Sequence, residues 1–285
     1  MTDRDRSQPG PGAAAADATP AVGDAGRGRL HGAVALITGA SRGIGRAIAQ
    51  AYAAEGADLC LVATSAARLD ELAAALPRPV RTLRVAADVA DRDACLRAVE
   101  RAEAEFGRVD ILVNNAGIYL AKPFVDHSPQ DFRQLLEVNL FGVIHLTQAV
   151  LPGMLERGYG RIVNIASTAG KWASRNQSGY NISNHAVVGL TRCVAWETAA
   201  RGVTVNAICP GFVQTDLIDG LKADYRAMGL GDPDAAFDAI VQSRVPLGRV
   251  LRADEITGLA VLLAAPESSG ITGQSILVDG GMLVS

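Results

Sequence analysis

The stretch Thr38-Gly39-Ala40-Ser41-Arg42-Gly43-Ile44-Gly45 decides how the rest of the chain is read. It ends a short apolar run, Val34–Thr38, that suits a buried strand, and it opens a candidate helix, Gly43–Glu55. Three glycines between a strand and a helix allow a tight turn and bring backbone N–H groups close to a pyrophosphate at the helix N-terminus. The spacing is G-x-x-x-G-x-G, not G-x-G-x-x-G. A glycine-rich turn alone needs no more than positive φ. Its position between strand and helix is what points to a phosphate role.

Outward from this turn, short β-branched apolar runs alternate with longer helical patterns, which is how parallel βαβ units read. Candidate strands are Val34–Thr38, Leu59–Ala63, Thr82–Ala86, Ile111–Val113, Ile162–Ile165, Val203–Ala207 and Ser275–Val278. Candidate helices are Gly43–Glu55, Ala66–Leu76, Asp91–Phe106, Pro129–Leu155, Ser178–Ala200 and Ala253–Ala264. The expected architecture is α/β: one Rossmann-like domain over 29–285 with a doubly wound, parallel, seven-stranded sheet and helices on both faces. Residues 1–28, rich in Ala, Gly, Pro and Asp, cannot offset the entropy of ordering and read as a flexible tail. The stretch 211–250 is helical but broken by Gly and Asp, and it follows the sixth strand. An insertion there lies over the ligand crevice, so it is the candidate substrate lid.

Composition narrows the classes. Lys and Arg number 27 against 30 Asp and Glu, a balance that argues against a nucleic-acid partner. Hydrophobic residues make up 49 % of the chain, enough to build a core and to exclude disorder of the whole. No apolar run approaches the roughly 18 residues of a membrane span, and MTDRDRSQPG lacks the apolar centre of a signal peptide, so no membrane partner and a cytoplasmic location are expected. Cys60, Cys95, Cys193 and Cys209 form no C-x-x-C pair, and His31, His127, His145 and His185 form no H-E-x-x-H pattern. Neither a disulfide nor a metal site is expected.

Dinucleotide sites that prefer NAD carry an acid at the end of the second strand for the ribose 2′-hydroxyl. Here the residues are Ala63-Thr64-Ser65. With no carboxylate to repel a 2′-phosphate, and with Arg42, Thr64 and Ser65 able to receive one, NADP(H) is the expected cofactor.

Four further signals follow in order: Asn114-Asn115-Ala116-Gly117 after the fourth strand, Ser167 after the fifth, Tyr180 thirteen residues later, and Pro210-Gly211 after the sixth. With these the chain resembles the short-chain dehydrogenase/reductases over nearly everything after residue 30. The resemblance implies that Gly39, Ser41, Arg42, Gly43, Ile44 and Gly45 hold the pyrophosphate end of the cofactor. Asp88, next to Val89, would contact the adenine. It implies that Asn115, Ala116 and Gly117 support the central strand and cofactor, and that Pro210, Gly211, Val213 and Thr215 lie near the nicotinamide. It makes Ser167 the residue that orients a substrate carbonyl, Tyr180 the proton donor or acceptor, and Asn139 the holder of a water. Negative charge grows on the carbonyl oxygen during hydride transfer, so a hydroxyl pair must donate hydrogen bonds and then a proton there. A free phenol titrates near pH 10, roughly three units or about 4 kcal/mol from neutrality.

The family lowers that pKa with a lysine four residues on. Here the segment reads Tyr180-Asn181-Ile182-Ser183-Asn184, so Asn184 stands in its place, able to hydrogen-bond a ribose but carrying no charge. His185 cannot simply substitute, because five residues on a helix project it about 140° away. Lys171 lies near the expected cleft and is a candidate substrate contact. Three readings of Asn184 stay open: a variant impaired in redox turnover, a working reductase that tolerates Asn184, or a relative doing non-redox chemistry such as cyclisation, dehydration or epimerisation.

Stretches Ser167–Lys171, Ala236–Ile240 and Arg244–Arg249 are similar to ketoreductases of bacterial aromatic polyketide pathways. Gly202–Ala207 and Ile271–Gln274 are similar to 3-ketoacyl-carrier-protein reductases. The expected substrate is a polyketide-type ketone, with a 3-ketoacyl thioester as the alternative. Trp172, Phe212 and Leu217 are its expected contacts, joined by Tyr119, Phe124, Arg175, Tyr225 and Met228 as further pocket candidates. Excess apolar surface on helices Pro129–Leu155 and Ser178–Ala200, with the family's habit, implies a homotetramer.

Overall fold

The computed structural model describes residues 28–229 and 231–283, so the expected tail falls, apart from Gly28, outside the described residues. Seven parallel strands form one sheet: β1 (Val34–Thr38), β2 (Asp58–Ala63), β3 (Thr82–Ala86), β4 (Ile111–Asn114), β5 (Gly160–Ile165), β6 (Val203–Pro210) and β7 (Ser275–Val278). Their order is β3-β2-β1-β4-β5-β6-β7, so the winding reverses between β1 and β4. At that point neighbouring crossovers leave in opposite directions and open a crevice at the carboxyl ends of the strands. Every residue of β1 and β6 is buried, as expected for strands covered on both faces.

Helices α1 (Gly43–Ala54), α2 (Ala66–Ala74), α3 (Arg92–Phe106), α4 (Pro129–Leu136), α5 (Gly142–Arg157), α6 (Ser178–Thr198), α7 (Asp216–Ala227), α8 (Pro233–Arg244) and α9 (Asp254–Ala264) complete the fold. The starts of α2, α3, α4 and α8 follow capping chemistry. Ser65, Asp91 and Asp232 cap α2, α3 and α8 with their side chains, and Ser128 with Asp131 forms a reciprocal capping box on α4. One face of the sheet buries Ile37, Leu59 and Val163 against Ile48 and Tyr52 of α1 and Ile256 of α9. The other buries Leu36, Val62 and Leu112 with Val99 of α3 and Leu146 and Val150 of α5.

The expected single helix Pro129–Leu155 is two helices joined by a π turn at Glu137–Phe141. A π turn inserts one extra residue without disturbing average apolar spacing, so periodicity does not reveal it. The whole span Pro129–Arg157 is long and apolar enough, by those measures alone, to cross a bilayer. In the fold, Leu146, Val150 and Met154 lie within the core over β4 and β5 instead.

The stretch 211–250 holds two helices, α7 and α8, with a small core of their own: Ile218, Leu221, Phe237, Val241 and Val245. On the opposite side of the molecule, Arg161 of β5 is 2 % exposed without a carboxylate partner in hydrogen-bonding range. Its guanidinium lies over the Tyr159 ring and donates to the carbonyls of Gly160, Gly202, Ala265 and Pro266, tying β5 to the ends of α6 and α9.

Candidate active site

The glycine turn shows why three glycines stand there. Gly39 and Gly43 have φ of +61° and +53°, in the left-handed region. A Cβ on Gly45 would fall 2.4 Å from the Gly39 carbonyl oxygen, so this glycine serves the close packing of the turn on its own helix. Asn115 holds the turn from the neighbouring strand: its Nδ2 donates to the carbonyls of Thr38 (2.9 Å) and Gly39 (3.2 Å). The Thr38 hydroxyl accepts from the N–H groups of Asn115 and Ala116 in return, a stitch that the residue pattern did not expose.

Unlike α2, α3, α4 and α8, helix α1 has no side-chain cap; its N-cap residue, Arg42, leaves the first-turn N–H groups facing the crevice. Uncapped amides at a helix N-terminus beside a glycine cradle fit a dinucleotide pyrophosphate. The crevice continues as one cavity of about 710 Å³, lined by Gly39, Ser41, Arg42, Gly43, Ile44, Thr64, Asp88, Val89, Asn115, Ala116 and Gly117. The same lining includes Asn139, Ser167, Tyr180, Asn184, Pro210, Gly211 and Val213, Thr215 against the Gly43 turn, and Trp172, Phe212 and Leu217.

Among the expected site residues, Gly45, Ser65 and Lys171 do not line this cavity. Ser65 caps α2 by accepting from Arg68 N–H. Lys171 follows a 3-10 turn, Thr168–Gly170, that carries it out of the cleft into a separate depression shared with His185 and Arg192. Of the additional pocket candidates, Tyr119, Arg175 and Tyr225 line the cavity, whereas Phe124 is 71 % exposed and Met228 is held behind the wall by an Asn176 hydrogen bond.

The catalytic positions are set by two elements. Ser167 leaves β5 and caps the 3-10 turn, accepting from Ala169 N–H at 3.1 Å, which leaves its hydroxyl proton to donate elsewhere. Tyr180 lies in the first turn of α6. Burial pushes its phenol above the ordinary value, while hydrogen bonds from Ser167 and Asn184 hold it back and the nearby Cys209 adds to the rise. Asn184 Nδ2 also donates to the Tyr180 carbonyl at 2.9 Å, back along the helix. Asn184 brings no charge where a lysine ammonium would face the phenol, and burial keeps Tyr180 protonated.

Asn139 comes from the π turn. Its side chain bonds both main-chain groups of Ile118, Oδ1 accepting at 2.8 Å and Nδ2 donating at 2.9 Å, and Nδ2 also reaches the Ser183 hydroxyl at 3.1 Å. Ser183 in turn donates to the Tyr180 carbonyl at 2.8 Å, so α6 is linked through Asn139 to the loop after β4. Beneath this link a buried polar chain runs from Asn114 to Asn164 (2.9 Å) and on to Thr191 (2.9 Å). A lone Asn in an apolar strand signalled neither partner, because each bond joins residues distant in sequence.

At the other end of the cavity, Arg42 pairs with Asp216 of α7 at 2.8 Å and lowers its carboxyl pKa. Arg68 lies close enough to contribute to the same lowering, a second cation at this end that the sequence reading missed.

A doubly wound sheet, an uncapped glycine turn and a half-buried Ser–Tyr hydroxyl pair on one cavity define a nicotinamide-dependent oxidoreductase. The chain belongs to the short-chain dehydrogenase/reductase family: residues 39–283 match the family described as enoyl-(acyl carrier protein) reductase. It is 38 % identical over 259 residues to the 3-oxoacyl-[acyl-carrier-protein] reductase FabG of Thermotoga maritima, covering 90 % of this chain and all of that one. It is 41 % identical to the oxidoreductase UcpA of Salmonella typhimurium, covering 89 % and 95 %. Among solved structures, levodione reductase superposes with a TM-score of 0.85 at 35 % identity, covering 89 % of this chain and 98 % of that one.

Proposed function

We propose that the protein is an NADP(H)-dependent ketoreductase acting on a polyketide-type ketone or a 3-oxoacyl thioester, two substrates that share a carbonyl beta to an acyl group. The observation that carries this reading is the continuity of one cavity from the α1 turn to the Ser167–Tyr180 pair. Bound nicotinamide would supply hydride to the carbonyl carbon. The Ser167 hydroxyl then donates to the carbonyl oxygen as charge grows there, and Tyr180, a neutral phenol, gives up its proton to that oxygen. Asn139 keeps the loop at Ile118 and helix α6 in register so that the hydroxyl pair stays aimed. Arg42 and Thr64, with Arg68 nearby, favour a 2′-phosphate, while no acid ends β2.

Similarity to a 3-oxoacyl reductase favours the thioester, and the stretches noted above favour the polyketide-type ketone. A non-redox reaction on the same hydroxyl pair is the second reading, favoured by Asn184 in the lysine position. The deciding experiment mixes the protein with NADPH or NADH and a panel of 3-oxo compounds in a single turnover. Oxidation of NADPH, with NADPH bound at least about tenfold tighter than NADH as one charge-assisted hydrogen bond would give, is the expected result. A polyketone transformed with no dinucleotide oxidised would replace the reductase reading with the non-redox one.

The protein is further read as a cytoplasmic homotetramer. Phe141 at the end of the π turn and Ile182 and Trp196 on α6 are 41 %, 49 % and 90 % exposed, an apolar stripe suited to a second copy. Cys60, Cys95 and Cys209 are buried as free thiols, which accords with a reducing compartment. Light scattering is expected to give about four times the 29.6 kDa chain mass, and a monomer would remove the assembly.

A further inference from the structure

The cavity is charged differently at its two ends. Its acids, Asp88 and Asp216, lie at the dinucleotide end, and Asp216 is already paired with Arg42. Beyond Ser167 and Tyr180 the charged lining residues are Arg175 and Arg244, and no Asp or Glu lines that part. Among the described residues neither arginine joins an ion pair or a hydrogen bond to a carboxylate.

Arg244 is the last residue of α8 and so belongs to the lid, whereas Trp172 belongs to the loop after β5. The Arg244 guanidinium lies 4.8 Å from the centroid of the Trp172 ring. Stacking of this kind fixes the plane of the guanidinium and leaves its edge N–H donors unengaged, the geometry that suits a two-oxygen acceptor. A second observation concerns Tyr119. Its ring packs edge-to-face on Tyr180 with centroids 5.0 Å apart, and its buried phenol oxygen has the Gln177 side chain as its polar neighbour, with the Asp224 carboxylate close by. A buried hydroxyl beside the catalytic phenol, facing Gln177 of the same cavity lining, can also meet a polar group of a ligand. Tyr225, which lines the same wall, lies near enough to Arg244 to feel its charge.

We propose that the substrate is an anionic carbonyl compound: its oxyanion, a carboxylate or phosphate, is received by Arg244 on Trp172 with Arg175 nearby, while Tyr119 binds a polar group between the anion and the reacting carbonyl. The inference relies on the ketoreductase reading only for where the carbonyl lies. Apolar Phe212, Leu217 and Leu221 share the wall with these two cations, so the pocket is not apolar throughout. Closing the lid would bring Arg244 over the substrate, so binding of the anion and closure would favour one another.

The test uses paired probes in the presence of NADPH: a 3-oxo carboxylate against its methyl ester, and a 3-oxoacyl pantetheine with and without its 4′-phosphate. Binding is read from Trp172 fluorescence in a Trp196→Phe background, which removes the other of the two tryptophans. In at least one pair the anionic member is expected to bind about tenfold or more tightly than its neutral partner, the size of one charge-assisted hydrogen bond. The pair that shows this identifies the carboxylate or the phosphate as the source. Arg244→Gln should bring the two members level by weakening only the anion, and Arg244→Lys should restore part of the difference. Equal binding of both members in both pairs, or an Arg244→Gln loss shared by the neutral probe, would overturn the inference. Oxidation of NADPH is followed in the same samples. An Arg244-dependent anion preference without oxidation keeps this inference and removes the reductase reading, whereas oxidation at equal affinity for charged and neutral probes does the reverse.

Discussion

Tyr180→Phe is expected to lower the rate of ketone reduction by about 10²–10⁴-fold, the usual contribution of a positioned acid, while dinucleotide binding stays intact. In the proposed reaction the phenol gives its proton to the carbonyl oxygen, with Ser167 as hydrogen-bond donor and Asn184 as a neutral neighbour. Because burial raises the Tyr180 pKa, the acid stays protonated through neutral pH, and reduction should run at a flat rate until an alkaline fall. Oxidation of the corresponding alcohol needs the phenolate and should be slow at the same pH. Asn184→Lys would place an ammonium near the phenol, and an opposite charge within about 4–6 Å lowers such a pKa by about one to three units. The alkaline fall should then move to lower pH, and the oxidation direction should gain more than the reduction direction. Rate profiles of both directions for the two variants check this. Unchanged reduction in Tyr180→Phe would remove Tyr180 from the chemistry.

Arg161→Ala is expected to destabilise the fold by about 3 kcal/mol, because truncation leaves a cavity and strips donors from buried carbonyls. The guanidinium reaches Gly160, Gly202, Ala265 and Pro266, so it joins the start of β5 to the chain before β6 and after α9. At about 2–4 °C per kcal/mol for a chain of this size, thermal melting should fall by roughly 6–12 °C. Dehydrating a charge has its own cost, and an unchanged midpoint would mean that this cost cancels the four contacts. Arg161 is far from the cofactor turn, so dinucleotide affinity at low temperature should survive the change.

The sheet was legible because its signals are local. Val34–Thr38 and Ser275–Val278 are strands within the bounds their apolar runs suggest, and the glycine turn fell where a strand meets a helix. Strand β6 runs on to Pro210, opposite Val278 of β7, because β5 has already ended at Ile165 opposite Ile208, so the missing proline N–H leaves no ladder bond unmade. The candidate catalytic residues Ser167 and Tyr180 were expected from their order along the chain, and both line the one crevice at the carboxyl ends of the strands. Lys171 shows where this reasoning stops: a single 3-10 turn capped by Ser167 sends the next side chain to the other side of the loop. The π turn under Asn139, the Thr38–Asn115 stitch and the Asn114–Asn164–Thr191 chain share one reason for being hidden. Each depends on a pairing between segments that only the assembled sheet brings together.

The lid stands on Ile218, Leu221, Phe237, Val241 and Val245, a cluster separate from both cores of the sheet. Two free-energy scales therefore coexist in one chain. Local opening of α7 and α8 disturbs five buried side chains and a few links to the rest of the chain, among them Arg42–Asp216, Ala121–Asp224 and Arg244 on Trp172, whereas loosening the sheet disturbs the whole molecule. If this unit is the proposed substrate lid, it would open at smaller cost than the sheet, and changes in its residues would leave the shape of the dinucleotide end intact.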